Sequence, residues 1–206
     1  MGLLIALPTS AVYYFFANDI LQLLFPNASN GATLLQISAF TIIFLSIEQT
    51  IRGVLIGIGE NKIPIITAII DVVIGVILNK TLIPLNNNII GGINGAAIGN
   101  LVSNFVVTAI GYFCIKKKVG IKIRKKNILK AFISTLTFIF VSKIIYSVIQ
   151  IGINKKISLL ISLGLGIIIY FVLIHLFNIL NTKQLQRLSF SQKKAKKKKK
   201  YNYQNA

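Results

Sequence analysis

Acidic residues are almost missing from this 206-residue chain: Asp19, Glu48, Glu60 and Asp71 are the full set. It has one cysteine, one histidine and no tryptophan. A lone Cys114 excludes an intrachain disulfide and a cysteine-built metal cluster. His175, equally alone, reads as a packing or cavity residue rather than a ligand. So little nucleophilic and acid–base material offers no nucleophile–base pair, and no phosphate-cradling loop is legible, so no enzyme, cofactor or metal centre is expected. The first apolar stretch is not expected to be a secretory signal either. The N-terminus has no basic region, and its apolar stretch runs through Pro8 well past the usual short core of a signal peptide, so it reads as a first span.

What the chain does contain is long apolar runs. Apolar residues make up 54% of it and the mean hydropathy is +0.75. Six stretches are long enough to cross a bilayer: Gly2–Phe25, Leu34–Ile58, Ile63–Leu85, Gly91–Lys116, Ile128–Ile151 and Ile157–Leu180. A spanning helix needs about 20 mostly apolar residues, because hydrocarbon satisfies no free backbone amide. The expected fold is an all-α integral membrane protein of six transmembrane helices over residues 1–182. Residues 183–206 form a polybasic tail without apolar periodicity, expected to be disordered.

The formal charge of +19 suggests nucleic acid until it is located. Eight basic residues lie between Lys116 and Lys130, and nine more between Lys183 and Lys200, so two segments beside helix ends hold seventeen of the 23. That distribution orients membrane helices, since cytoplasmic connections accumulate Lys and Arg. A nucleic-acid surface needs basic side chains spread over a folded face, so no nucleic-acid partner is expected. With both clusters inside, the connections Pro26–Thr33, Asn86–Ile90 and Gly152–Lys156 fall outside, and only the last carries charge, at Lys155 and Lys156. Six spans then place both termini in the cytoplasm of a cell-membrane protein. Basic residues beside the spans also suit contact with anionic headgroups.

Several residues are out of place in lipid. Glu48 and Arg52 stand four apart on the second span, which stacks them on one helix face as an intramembrane ion pair. The pair serves either packing or transport. Asp71 lies in the middle of the third span with no basic residue three or four positions away. It must be protonated, paired across helices or open to water, and Lys143 in the fifth span is the deep cation free to meet it. Asp19 reads as interfacial. Gly91, Gly95, Gly99 and Ser103 leave a smooth strip on the fourth span, and Gly53 with Gly57 forms a shorter one on the second. Such strips let helix backbones approach closely.

Three ordered stretches carry a family resemblance: Arg52–Pro64 (RGVLIGIGENKIP), Leu78–Pro84 (LNKTLIP) and Gly92–Asn100 (GINGAAIGN). With Leu7-Pro8 and Leu23–Pro26 before them, the chain resembles the C-terminal part of flippases of the multidrug/oligosaccharidyl-lipid/polysaccharide superfamily. The branch it looks like is that of the stage V sporulation protein B-like proteins, similar to lipid II flippases. The resemblance implies the C-terminal lobe of a two-lobed transporter, with a lipid-linked saccharide as substrate and an absent N-terminal lobe as partner. The chain is then a fragment, a truncated product or half of a split transporter. Alternating access would move lipid-linked oligosaccharide or peptidoglycan precursors across the membrane. The resemblance also places polar cavity positions at Asn79, Asn94 and Asn100, which join Asp71 as candidates for the substrate or ion pathway. Such helices can hold a coupling cation through Asn and Asp oxygens. Here Ile83 stands one turn after Asn79, and Asn100 stands where the family often has Thr. Two other readings remain open: a cation-coupled multidrug exporter of the same superfamily, and a non-transporting scaffold whose basic tail binds lipid.

Overall fold

A computed structural model describes residues 2–25, 31–85, 87, 90–119, 125–152 and 154–177. Pro26–Asn30, most of the basic connection after the fourth span and the expected polybasic tail lie outside the described residues. All regular structure within them is helical. The helices are α1 (Gly2–Phe15), α2 (Ala17–Leu24), α3 (Ala32–Gly57), α4 (Lys62–Leu82), α5 (Gly92–Val119), α6 (Lys125–Ile149) and α7 (Lys155–Leu176). The last five are each long and apolar enough to cross a membrane. At 1.5 Å per residue they extend roughly 30–42 Å, matching or exceeding a hydrocarbon core of about 30 Å.

The first apolar stretch departs from a straight span. It breaks at Phe16, where α1 and α2 meet at 79°. Alone, the 14 residues of α1 rise only about 21 Å, too short to cross. The break is held by side chains. Phe16 is buried at one end of an apolar cluster that runs through Phe138, Ile139, Leu159, Tyr170 and Ile174, with Tyr146 packed edge-on against it at 5.7 Å. From the first turn of α2, Asp19 accepts a 2.7 Å hydrogen bond from the Tyr146 hydroxyl. Asp19 is therefore a docking point for α6. Its charge also suits the positive end of α2.

The helices form a row. α4 packs on α5, α5 on α3, α3 on α1, α1 on α6 and α6 on α7. Each contact has a local cause. Gly2 of α1 presses on Ser46 and Thr50 of α3. Ile51, Leu55 and Ile115 knit α3 to α5, and Gly111 makes room for Ile51. Phe138 and Ser142 of α6 fill the place where Gly166 of α7 has no side chain. The turn after α3 follows from Gly59, whose φ of 86° lies in the left-handed region that favours glycine. The Gly59 amide then donates to the Ile56 carbonyl and that of Glu60 to Leu55, closing the helix end. Pro64 sits in the first turn of α4, where its missing N–H has no helical acceptor to lose.

Large apolar side chains remain uncovered along every long helix. On α4, Ile65, Ile66, Ile69, Val72, Val73, Val76 and Ile77 are all at least half exposed. A protein surrounded by water would bury such a face; one surrounded by lipid has no reason to. This is a multi-pass, all-α membrane fold.

Candidate functional site

The polar residues of the third and fourth long helices meet along one seam. On α4 the buried positions are Pro64, Thr67 and Gly75. Asp71 is one turn from both Thr67 and Gly75, so it shares their face rather than the isoleucine-rich one. It is the tenth of 21 residues in α4, about 14 Å from the helix start.

α5 supplies the opposite wall. A Cβ at Gly95 would lie 2.9 Å from the main chain of Leu82, and one at Gly99 would lie 2.5 Å from Asn79 Oδ1. At Gly75, a Cβ would stand 4.0 Å from Ser103 Oγ. Contacts that step down α4 as they step up α5 define an antiparallel register, which carries Asp71 level with Val107. Val107 is fully buried. The glycine strip thus lets α4 approach closely, and the approach tightens towards the C-terminal end of α4. At that end Gly91 leaves no space at all, because its Cβ would overlap the Leu85 carbonyl.

The seam has unmet hydrogen-bonding capacity. Asp71 Oδ1, Asn79 Oδ1 and Asn104 Oδ1 are all buried without a hydrogen-bond partner. Asn104 Nδ2 donates to the Asn100 carbonyl at 2.8 Å, and Ser103 Oγ donates to the same oxygen at 3.2 Å. The Thr108 hydroxyl donates across to the Phe44 carbonyl of α3 at 3.2 Å. The Asn100 side chain is exposed, whereas Asn94 is partly buried in the first turn of α5. The four pathway candidates therefore divide. Asn79 lies against Gly99, beside Asn100. Asn94 is higher in the same seam, and Asp71 sits two turns from Asn79, about 12 Å along the axis.

Lys143 does not meet Asp71. It lies on α6, which has no contact with α4, and its ammonium stands 5.2 Å from the ring centroid of Phe15. The row arrangement explains the separation: α5, α3 and α1 stand between the two helices. Arg52 and Glu48 do form an ion pair on α3, with Glu48 buried and Arg52 reaching outward. A second ion pair joins Lys118 at the basic end of α5 to Glu60 in the α3–α4 turn.

A coupling cation of the kind the resemblance implies is not supported by the residues around Asn79. One free amide oxygen faces Gly99, Ile83 stands exposed where a further oxygen would help, and Asp71 is too distant to share an ion. Groups of three or more His, Cys, Asp or Glu that could hold a metal are absent among the described residues.

Two features escaped the sequence reading. The Asp19–Tyr146 bond joins residues 127 positions apart, which no local pattern reveals. On α7, Ser158, Ser162 and Gly166 form a fully buried or nearly buried small-residue line against α6. Their four-residue spacing was a visible signal, obscured by the surrounding Leu and Ile.

No curated protein and no solved structure matches the chain. A family of proteins does: the one described as lipid II flippase MurJ, over residues 1–157. That match takes in α1 to α6 and the start of α7, including the whole α4–α5 seam. The match covers more than half of the sequence, and the chain belongs to the lipid II flippase MurJ family.

Proposed function

We propose that this chain is the C-terminal helical bundle of a flippase that moves lipid-linked peptidoglycan precursors outward across the cytoplasmic membrane. The family match over residues 1–157 carries the reading. The bundle works by alternating access against a first lobe, in the same polypeptide or a separate one. The saccharide headgroup crosses in a hydrated space while the lipid tail stays in the bilayer. Asp71, Asn79, Asn94 and Asn100 line the polar side of that path, and the Glu48–Arg52 pair keeps α3 neutral beside it. The basic ends of α5 and of the tail lie on the cytoplasmic side, so α4 runs outward and α5 inward.

The test is transfer of a labelled lipid-linked precursor in sealed vesicles containing the chain co-expressed with a matching first lobe. Outward transfer well above that of empty vesicles is expected. Transfer equal to empty vesicles overturns the reading.

A further inference from the structure

We propose that α2 is an interfacial helix: it lies in the membrane surface opposite the basic clusters, and its partner there is the headgroup–acyl boundary of the lipid. On the orientation proposed above, that surface is the outer leaflet. α1 runs antiparallel along the spanning helix α3. It starts with Gly2 beside Ser46 and Thr50 and ends near the Tyr14 carbonyl, which accepts from Gln36 Nε2 at 3.5 Å. α2 then leaves α1 at 79°, a turn from the direction of crossing into the plane of the bilayer. The alternative is that α2 completes the crossing as the upper half of a broken span.

The depth of the break rules that alternative out. Gln36, which meets Tyr14, is the fifth residue of α3. Tyr146, which meets Phe16 and Asp19, is the fourth from the end of α6. Leu159, in one cluster with Phe16, is the fifth of α7. At 1.5 Å per residue, all three stand about 4–6 Å from the same end of the bundle. α3 and α6 exceed the hydrocarbon core of about 30 Å by about 8 Å, so their ends project a few ångströms beyond it and the break sits at its boundary. Little hydrocarbon is left for α2 to cross. The shortfall of α1 lies at its other end, because Thr50 stands seven residues, about 10 Å, before the end of α3.

The faces of α2 fit such a boundary. Ile20 and Leu23 pack against the α6–α7 cluster, and Asp19 is bonded to Tyr146. Asn18 and Gln22, four apart, form an exposed polar strip. Leu24, about 200° around the axis from Gln22, is 62% exposed. Exposed amides would go unsatisfied in hydrocarbon, and an exposed leucine would stay hydrated in water; at the boundary each side meets its own solvent. The neighbours of the break match. Tyr14 and Phe15 are exposed beside it, as aromatic side chains are at a membrane surface. The Lys143 ammonium stands 5.2 Å from the Phe15 ring centroid, which holds its charge at the same level. The eight residues of α2 are too few to stay helical alone in water, so docking on α6 and contact with lipid both stabilise the helix.

The chain has no tryptophan, so a single introduced one reports its own surroundings. The test uses the full chain in phosphatidylcholine vesicles, carrying Asn18→Trp, Gln22→Trp, Leu24→Trp or, as a lipid-facing reference on α6, Phe140→Trp. Fluorescence is quenched with aqueous iodide, or with lipids brominated near the headgroup end or near the tail end of the acyl chain. Iodide is expected to quench Asn18→Trp and Gln22→Trp several-fold more strongly than Leu24→Trp. Bromine near the headgroup should quench Leu24→Trp most, and bromine near the tail end Phe140→Trp. If one polar-face variant fails to insert, the other reads the same strip. Silence to iodide at all three α2 positions places the helix in hydrocarbon and overturns the proposal. Equal iodide quenching at all three, without a bromine effect, places it in water and overturns the proposal too. No transport is measured, so failure of the flippase reading leaves this result standing. The expected pattern seen only with iodide sealed inside the cytoplasmic face would reverse the orientation and still support the interfacial helix.

Discussion

Pro8 removes one backbone donor from α1, and the structure shows what replaces it. Without an N–H at position 8, the carbonyl of Leu4 loses its helical partner. The Tyr170 hydroxyl of α7 fills the vacancy, donating to Leu4 O at 2.6 Å. Tyr170 is 4% exposed, and its ring packs edge-on against Phe138 at 5.9 Å. Tyr170→Phe therefore keeps the ring and its packing and deletes the hydroxyl, with its bond to Leu4 O and its side-chain hydrogen bond with Thr135; the latter is lost alike in both backgrounds compared below. A stranded buried carbonyl costs about 1–3 kcal/mol in soluble proteins, and interhelical bonds in membranes average about 0.6 kcal/mol with a maximum near 1.7. We expect a loss of about 1 kcal/mol, roughly fivefold in the folding equilibrium. Pro8→Ala restores the helical donor, so Tyr170→Phe made in that background should cost about 0.5 kcal/mol less, the coupling that a double-mutant cycle reads. The assay is reversible unfolding in mixed micelles of the native chain, both single variants and the double. An equal cost in both backgrounds refutes the idea that the hydroxyl substitutes for the missing amide.

Other substitutions separate the remaining contacts. Gly95→Ala should destabilise the α4–α5 seam by about 2 kcal/mol, because its Cβ meets main chain that cannot move aside. Gly99→Ala should cost less and be largely rescued by Asn79→Ala, since there the obstacle is a side-chain tip; thermal unfolding of the four variants checks both. Arg52→Ala should lower stability more than Glu48→Gln, by about 2 kcal/mol, because it leaves a buried carboxylate alone whereas Arg52 can reach the interface. Tyr146→Phe should free α2 from α6, seen as faster labelling of a cysteine placed at Ala17 with bulk stability nearly unchanged.

The long helices were legible because lipid imposes one simple demand, a run of apolar residues about 20 long. The glycine strip and the Glu48–Arg52 pair were legible for a related reason: helical spacing fixes which residues share a face, whatever lies opposite. The break at Phe16 was not. Hydropathy joins amphipathic Ala17–Leu24 to the apolar stretch before it but carries no information about the direction in which it runs. That direction is set by Phe16 and Asp19 meeting α6, and by Tyr170 meeting Leu4 across 166 positions. Pairing of Lys143 with Asp71, one of the options the sequence left open, is excluded for a reason of the same kind. Depth along a span can be counted from sequence, but the order of helices in the row cannot.

That order also explains why the unpartnered polar groups lie where they do. α5 is flanked by α3 and α4, and the two contacts are built differently. Towards α3 it interlocks long side chains, Ile51 and Leu55 against Ile115 and Tyr112, with Thr108 bonded to the Phe44 carbonyl. Towards α4 it offers glycine, and the residues α4 buries in return are only Pro64, Thr67 and Gly75. The larger side chains of α4 point to lipid, where they gain as much as they would inside, so little side-chain interlocking resists displacement of α4 along the strip. A helix at the end of the row, lightly interlocked and carrying a mid-membrane carboxylate on its seam face, is the element of the row best suited to change position.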